Sequence, residues 1–190
     1  MSPRSPSSRP RVLDRRTLAR TRLFHVEGLG LEFANGVRVD YERLASSSQG
    51  AVLVVAVEPD RTVYLVREYC AGVERYELGL PKGRLEPGEA LLEAANRELM
   101  EEVGLGARRL EHLTSFTLAP GYFSHVTHVV LARGLYPRRL PGDEPEPLEV
   151  VPWSLDRLPE LLAREDCTEA RSIAALYWVR ELLDREESRP

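Results

Sequence analysis

The sequence is poor in the features that mark several large classes of protein. Among 190 residues it has only two cysteines, Cys70 and Cys167, and they stand at no spacing typical of a metal or redox site. No apolar run approaches the roughly 20 residues that a membrane-spanning helix requires. The four histidines also lack metal-ligand spacing. We therefore expect ordinary thiols in a reducing compartment, a cytoplasmic location and no membrane partner.

Clustered positive charge is also missing over most of the chain. The formal net charge is −4, and no sustained basic patch follows residue 22. Nucleic acid is therefore not expected as a partner, because its phosphates are bound by clustered Lys and Arg. Apolar residues, by contrast, make up 43% of the chain, enough at this length for one domain with a sizeable core.

The N-terminal part differs in composition from the rest. Residues 1–16 are rich in Ser, Pro and Arg, which predicts a disordered tail. Residues 17–45 contain two strand-like runs around Asn35-Gly36, a strong hairpin signal, and predict a small β-hairpin subdomain. A polar SSSQG stretch follows, so residues 46–190 are expected to form the main domain.

The order of elements in the main domain predicts an α/β fold. Strand-like runs lie on both sides of a central helical stretch, and helical periodicity returns near the C-terminus. This order favours helices packed on both faces of a mixed sheet. Strands are predicted over 51–58, 62–69, 110–120, 125–135 and 148–153, and helices over 155–163, capped by Ser154, and 168–185.

The central stretch carries a cluster of carboxylates. Glu98, Glu101 and Glu102 are spaced i, i+3 and i+4, which places them on one face of a helix. Like charges at this spacing repel one another. Such a face is either a solvated acidic surface or a site for a hard divalent cation, which takes oxygen ligands.

The same stretch has the pattern of a loop followed by a helix. Pro87-Gly88 predicts a turn that starts the helix, and Gly104 stands where a helix would end in a left-handed residue. The apolar positions at helical spacing are Leu92, Ala95, Leu99 and Val103. If this stripe faces the core, the glutamates face a cleft.

The full spacing resembles the signature of the Nudix hydrolases. From Gly83 to Leu105 the chain follows G-x5-E-x7-R-E-U-x-E-E-x-G-U, where U is aliphatic, at every specified position. Seven of these positions are single residue types, so a chance match at a given start is on the order of 10⁻⁹. The resemblance implies an α/β/α sandwich around a mixed β-sheet, here with the N-terminal β-hairpin subdomain added.

Further segments resemble Nudix enzymes that hydrolyse ADP compounds, within the wider ADP-ribose pyrophosphatase group. These segments are VREYC, GVERYELGLPKG, LAPGYFS and GDEPEPL. The resemblance implies hydrolysis of the pyrophosphate bond in ADP-ribose, NADH or diadenosine polyphosphates, giving AMP and a phosphorylated product. The group's S-P-G-x-S-x-E segment is here APGYFSH with no Glu nearby, which favours ADP compounds in general over ADP-ribose alone.

The resemblance also implies a Mg²⁺ cofactor, which Mn²⁺ can replace. Glu98 and Glu102 would ligate the ion, and Glu101 would complete or bridge the cluster. The backbone carbonyl of Lys82 is implied as a further ligand. A pyrophosphate needs such a cation, because its dense negative charge otherwise opposes attack by water.

A general base must take the proton from the attacking water. In ADP-ribose pyrophosphatases it comes from an acidic loop late in the sheet, which here is Gly142-Asp143-Glu144-Pro145-Glu146. The resemblance implies Glu144, with Glu146 as the second candidate and a merely solvated turn as the alternative. Glu101 also stays a candidate, because many Nudix enzymes carry the base in the signature helix.

Arg97 is expected to be a structural partner of Glu89 that points away from the metal face, with contact to substrate as the alternative. The pocket for the nucleotide and diphosphate is expected to be lined by Arg67, Glu68, Tyr69, Glu77 and Tyr122, although surface roles for Arg67 and Glu68 fit the sequence equally well. An Arg at this place could bind a phosphate through two parallel hydrogen bonds.

The sequence also indicates how the protein assembles and which other functions are compatible with it. In the family an N-terminal subdomain often packs across a two-fold axis, and two-fold dimers are the commonest soluble oligomers, so we expect a homodimer. The alternative enzyme is a Nudix pyrophosphatase for another nucleoside diphosphate derivative, such as a nucleotide sugar. A non-catalytic domain that senses ADP-ribose or NAD is disfavoured, because all the signature glutamates are present.

Overall fold

The computed structural model describes residues 9–46 and 49–188. The chain divides into two compact units, Met1–Ser47 with Thr117–His125 and Ser48–Phe116 with Val126–Pro190. The break after Ser47 falls inside the polar SSSQG stretch. Among the described residues, no helix has the length and apolar character needed to cross a membrane.

The first unit contains a three-stranded antiparallel sheet in the order β1-β2-β3. The strands are β1 (Arg11–Arg20), β2 (His25–Glu32) and β3 (Arg38–Leu44). β2 and β3 form the expected hairpin, and Gly36 in its turn has a φ of 82°, which glycine adopts without strain. The N–H of Phe33 donates to the carbonyl of Val37 at 2.9 Å and closes this turn.

The prediction of a disordered tail over residues 1–16 is wrong for residues 11–16, which lie in β1. Arg11 forms an ion pair with Glu32 of β2 at 2.9 Å. The Asp14 carboxylate accepts a hydrogen bond of 2.9 Å from the N–H of Gly30. Pairing with β2 therefore overrides the polar local composition, since strand formation depends more on context than on intrinsic propensity. Residues 1–8 lie outside the described residues.

A segment late in the sequence also belongs to the first unit. The N–H of Leu44 donates to the carbonyl of Tyr122 at 2.7 Å, and the N–H of Ser124 donates to the carbonyl of Leu44 at 3.1 Å. These long-range bonds attach residues 117–125 to the end of β3. The sequence alone assigned that segment to the main domain.

The described residues of the second unit form two sheets. Their strands are β4 (Ala51–Ala56), β5 (Thr62–Cys70), β6 (Arg75–Gly79), β7 (Lys82–Arg84), β8 (Leu105–Thr117), β9 (Val126–Pro137) and β10 (Glu149–Ser154). The four-stranded sheet has the order β7-β4-β9-β8 and is mixed, because β4 runs parallel to β9 and antiparallel to β7. The three-stranded antiparallel sheet has the order β10-β5-β6.

In the part of the chain that the structure describes, three helices accompany these sheets. α1 (Leu91–Glu98) continues into a π-helical turn, Leu99–Val103. A 3₁₀ turn, Leu155–Arg157, is capped as expected by Ser154, whose hydroxyl accepts from the N–H of Asp156 at 3.3 Å, and leads into α2 (Leu158–Leu162). α3 (Ala170–Glu187) closes the described chain, and the carboxylate of Glu169 caps its first turn.

β4 is buried on both faces, and each face packs on a different helix. Leu53 and Val55 belong to one core cluster with Leu176 of α3. Val52 and Val54, which alternate with them, belong to a second cluster with Ala95 of α1. Each buried Leu or Val side chain contributes on the order of 1.5–3 kcal/mol. Helices on opposite faces of a mixed sheet confirm the predicted α/β/α sandwich.

The predicted stripe is confirmed for Ala95, Leu99 and Val103, which are buried, and is wrong for Leu92, which is exposed. Ala94 and Glu98 join the buried face instead. The helix then widens, because the N–H of Gly104 bonds the carbonyl five residues earlier, on Leu99. Gly104 ends the helix in the left-handed conformation, as predicted.

Candidate active site

The carboxylate of Glu98 lies directly over the backbone of Gly83. α1 packs against β7, and a Cβ atom built on Gly83 would come within 2.0 Å of Glu98 Oε1 and Cδ. No side chain fits between them. The first glycine of the signature is therefore required by a close approach of the backbone to a carboxylate. Glu98 in turn is fixed in place by β7 beneath it.

We expect Gly83→Ala to lower the rate of the reaction by about 100-fold, because a displacement of roughly 1 Å in an active site can have that effect. The added methyl group must push the Glu98 carboxylate away from β7. Gly72→Ala is the matched control, since a Cβ there meets nothing within 4 Å. Steady-state kinetics on both variants measures the effect. Wild-type activity in Gly83→Ala would contradict the requirement for this packing.

Glu102 is the second buried carboxylate of the site. Its Oε2 atom accepts a hydrogen bond of 3.2 Å from the backbone N–H of Lys82. Burial raises the pKa of Glu102 to about 8, with Lys82 opposing the shift and Glu98 adding to it. Burial also raises the pKa of Glu98, although the hydrogen bond from Arg97 opposes this. Two desolvated carboxylates near each other are an arrangement that a cation would stabilise.

Arg97 joins the signature loop to the signature helix. Its guanidinium donates to Glu89 at 2.8 and 3.0 Å, which confirms the expected pair. It also bonds Glu98 at 2.8 Å and Glu101 at 2.9 Å. The expectation that Arg97 points away from the glutamate face is therefore wrong. The reason is geometric, since a guanidinium has five donors in a fork and Glu101 lies one helical turn further on.

A cleft of about 510 Å³ lies beside Glu101. The acidic loop, residues 141–147, forms its other wall and contributes Glu144 and Glu146. Glu144 is half-buried, whereas its neighbours Asp143 and Pro145 are exposed. Glu144 also lies near enough to Glu98 to contribute to the raised pKa of that carboxyl. The three candidates for the general base thus face one cleft.

Arg139 is a residue of this cleft that sequence reasoning missed. Its guanidinium donates to the carbonyls of Glu101 at 3.4 Å and Val103 at 3.2 Å. Both carbonyls lie at the end of the helix, where backbone carbonyls need partners from outside the helix. The N–H of Leu140 bonds the carbonyl of Met100 at 3.1 Å. These bonds fasten the start of the acidic loop to the signature helix. No local pattern could have revealed them, because the partners are 36 and more residues apart.

Two of the predicted pocket residues are engaged in structural contacts. Arg67 forms ion pairs with Asp166 and, at 2.9 Å, with Glu149. Glu77 is buried and accepts hydrogen bonds from the N–H and the hydroxyl of Thr168 at 3.0 and 2.8 Å. Both residues thereby attach the β5–β6 pair to neighbouring segments. Their role in binding substrate stays a prediction.

The other three predicted pocket residues have different surroundings. Glu68 forms an ion pair of 2.6 Å with the Lys82 ammonium group, next to the backbone that contacts Glu102. Tyr69 is half-exposed and meets the ring of Tyr76 edge-on, with centroids 5.4 Å apart. Tyr122 is 64% exposed and belongs to the first unit. Only Glu68 is thus connected to the glutamate cluster by a described contact.

The donor set fits a hard divalent cation. The carboxylates of Glu98 and Glu102 lie beside the backbone of Lys82 and Gly83, so every candidate ligand is an oxygen. Among the described residues, no three His, Cys, Asp or Glu side chains are already gathered as a metal site. Glu101 instead bonds Arg97. A three-carboxylate site would use the other oxygen of Glu101, since Arg97 bonds Oε2.

Comparison with known proteins agrees with this geometry. A model of the NUDIX domain matches residues 47–176, and a model of the NudE-type Nudix hydrolase N-terminal domain matches residues 10–43. The chain belongs to the Nudix hydrolases. Members of this family generally use divalent metal ions.

Individual relatives are similar over nearly the whole chain. ADP compounds hydrolase NudE of Escherichia coli (strain K12) is 50% identical over 175 residues, covering 92% of this chain and 94% of the relative. ADP-ribose pyrophosphatase of Bacillus subtilis (strain 168) is 29% identical, covering 88% and 93%. A crystal structure of an ADP compounds hydrolase has a TM-score of 0.85 and 47% identity, covering 96% of this chain and 98% of that one.

Proposed function

We propose that this Nudix hydrolase cleaves the pyrophosphate bond of ADP-X compounds, giving AMP and a phosphorylated X. ADP-ribose, NADH and diadenosine polyphosphates are the proposed substrates. The observation that carries the proposal is the pair of buried carboxylates, Glu98 held over Gly83 and Glu102 on the backbone of Lys82, beside the cleft of the acidic loop. The names of two similar proteins, ADP compounds hydrolase and ADP-ribose pyrophosphatase, support the substrate class.

We propose Mg²⁺, which Mn²⁺ can replace, as the ion of this site. Glu98, Glu102, Glu101 and the backbone carbonyl of Lys82 would hold it. When bound, such an ion neutralises charge on the diphosphate and makes the phosphorus more electrophilic. Arg97 orients the carboxylates of Glu98 and Glu101 through hydrogen bonds of 2.8 and 2.9 Å.

Glu144 is the proposed general base. It would accept a proton from the water that attacks phosphorus, a role that requires a carboxylate within hydrogen-bond reach of that water. Its partial burial and its position near Glu98 support this assignment over a solvated acidic turn. Glu146 and Glu101 line the same cleft and are the alternatives.

A substrate panel tests the proposed function. Release of AMP from ADP-ribose, NADH and diadenosine triphosphate would be measured with Mg²⁺, together with turnover of a nucleotide sugar. We expect AMP from at least one ADP compound at a kcat/KM well above that of the nucleotide sugar. A preference for the nucleotide sugar would support the alternative pyrophosphatase, and binding of ADP-ribose without turnover would support a sensor.

Replacing Glu102 by Gln should lower the rate by about 10²–10³-fold, or roughly 3–4 kcal/mol of transition-state stabilisation. The amide keeps the shape of the side chain but removes a ligand charge. The fold should be retained, because Gln has nearly the same size as Glu and brings no charge into this buried position. Glu93→Gln is the control, since Glu93 is exposed on the same helix. If the rate of Glu102→Gln stays within a few-fold of wild type, Glu102 is not a metal ligand.

We propose that the enzyme is a homodimer held together through the first unit. Every residue of β1 is exposed in the single chain, and the sheet carries large apolar side chains on its surface. They include Val12, Leu13, Leu18, Val39 and Tyr41. Exposed apolar side chains at this density mark an interaction surface, and two-fold dimers are the commonest assembly.

Deletion of residues 1–44 should therefore yield a monomer with a raised KM and some remaining kcat, because the glutamate cluster is retained. Deletion of residues 1–8 alone, which leaves β1 complete, is the control and should change neither property. Sedimentation velocity and steady-state kinetics on both truncations measure these outcomes. A dimer with unchanged KM after the longer deletion would show that β1, β2 and β3 have no part in the interface or the site.

We also propose a cytoplasmic location. The free thiols of Cys70 and Cys167 support it, since oxidising compartments favour disulfides. Fractionation of cells that produce the protein would test this point.

A further inference from the structure

The acidic loop is fastened at both ends, and its second fastening involves a residue with no assigned role. The start of the loop is bonded to the signature helix through Arg139 and Leu140. Near its end, Glu146 accepts a hydrogen bond of 2.6 Å from the phenol of Tyr76, on β6. The phenol is the donor in this bond, and the bond to Glu146 raises the pKa of Tyr76.

The sheet order explains how Glu146 reaches Tyr76. The loop leads into β10, which pairs with β5, and β5 pairs with β6. Tyr76 therefore lies two strands away, about 10 Å across the sheet. The three residues from Glu146 to the start of β10 at Glu149 span about 10 Å when extended. The end of the loop can thus cross β5 to reach β6.

Tyr69, on the neighbouring strand β5, contacts the ring of Tyr76. These residues are directly opposite each other in the β5–β6 register, and their rings meet edge-on at 5.4 Å. Tyr69 thereby restricts the ring of Tyr76, so that its hydroxyl is held toward the loop.

We infer that Tyr76 is a positioning residue for the acidic loop, with Glu146 as its anchor, and that together they hold Glu144 at the cleft. The carboxylate of Glu146 is exposed and bonded to a phenol, whereas Glu144 is half-buried near Glu98. Pro141, Pro145 and Pro147 have no N–H to donate, so the loop depends more on side-chain contacts for its position. This inference rests on the proposed function, because it assigns the proton transfer to Glu144.

Removing only the hydroxyl, with Tyr76→Phe, tests the positioning role. We expect kcat to fall about three- to tenfold, the range for losing one exposed charge-assisted hydrogen bond, with less than a twofold change in KM. Tyr177→Phe, at a half-exposed tyrosine of α3, is the matched control. Hydrogen exchange at the amides of residues 142–144, 146 and 148 should accelerate in Tyr76→Phe only.

Variants of Glu146 show whether this residue anchors the loop or acts as the general base. Glu146→Gln keeps an oxygen that accepts from Tyr76, so kcat should stay within about twofold of wild type, whereas Glu146→Ala should resemble Tyr76→Phe. The double variant Tyr76→Phe/Glu146→Ala should be no worse than the more impaired single variant, because both remove one interaction. A loss of about 100-fold or more in Glu146→Gln would make Glu146 the base and overturn the inference.

The exchange measurement distinguishes failure of this inference from failure of the proposed function. If the wild-type protein hydrolyses no ADP compound, the proposed function is wrong, and exchange in the loop still decides whether Tyr76 holds it. Unchanged loop exchange in Tyr76→Phe would overturn the inference whatever the activity. An unchanged kcat in this variant, with an active wild-type enzyme, would overturn it as well.

Discussion

In excess chelator, hydrolysis of ADP compounds by the wild-type enzyme should fall by about 10³-fold or more. A bound divalent ion is worth several kcal/mol of transition-state stabilisation, and each 1.36 kcal/mol corresponds to a factor of ten in rate. The carboxylates of Glu98 and Glu102 cannot replace it, because their own negative charge opposes that of a diphosphate. AMP release at increasing EDTA concentrations measures the loss.

Two additions complete the chelator experiment. Restoring free Mg²⁺ or Mn²⁺ should restore the rate, whereas Na⁺ at equal ionic strength should not. Circular dichroism before and after chelation shows whether the fold is retained, which we expect because the two core clusters of the second unit are made of apolar side chains. Full turnover in excess EDTA would refute a metal-dependent mechanism.

Glu144→Gln should lower kcat by about 10²–10⁴-fold with little change in KM. A general base contributes roughly this factor, and it acts in the transition state rather than in substrate binding. Gln keeps the size of the side chain, so the contact with the backbone of Gly142 can be retained. Stopped assays of AMP release at saturating substrate give kcat directly.

The exposed Glu165 supplies a control for this substitution, and Glu165→Gln should behave as wild type. Glu146→Gln should be far milder than Glu144→Gln. If both loop variants are neutral, the base lies in the signature helix and Glu101 becomes the candidate. If Glu146→Gln alone is severe, the order of the two loop residues is reversed.

The glutamate spacing shows how much of the site can be predicted from a local sequence pattern. Glu98 and Glu102 are four residues apart, and helical geometry alone puts them on one edge. The same pattern did not reveal that Arg97 bonds Glu98 and Glu101 as well as Glu89. Side chains with several rotatable bonds choose among nearby partners, and that choice depends on the full set of groups within reach.

In the N-terminal part, the local sequence predicts one element correctly and another wrongly. Asn35-Gly36 correctly predicts its turn, and β2 and β3 form the predicted hairpin on either side of it. Residues 11–16 look like part of a tail by composition, yet they pair with β2. A strand is stabilised by hydrogen bonds and side-chain contacts with its neighbour, so its own residues only partly determine whether it forms.

The class of fold, the family and the carboxylates of the site could be predicted from the amino-acid sequence, because they follow from periodicity and from a motif contained in 23 consecutive residues, Gly83 to Leu105. Three contacts could not be predicted in this way: Gly83 lies beneath Glu98, Arg139 holds the acidic loop to the helix end, and Tyr76 bonds Glu146. Each of these contacts joins residues that are 15 to 70 positions apart. Their meeting depends on how strands and helices pack, which no local spacing encodes.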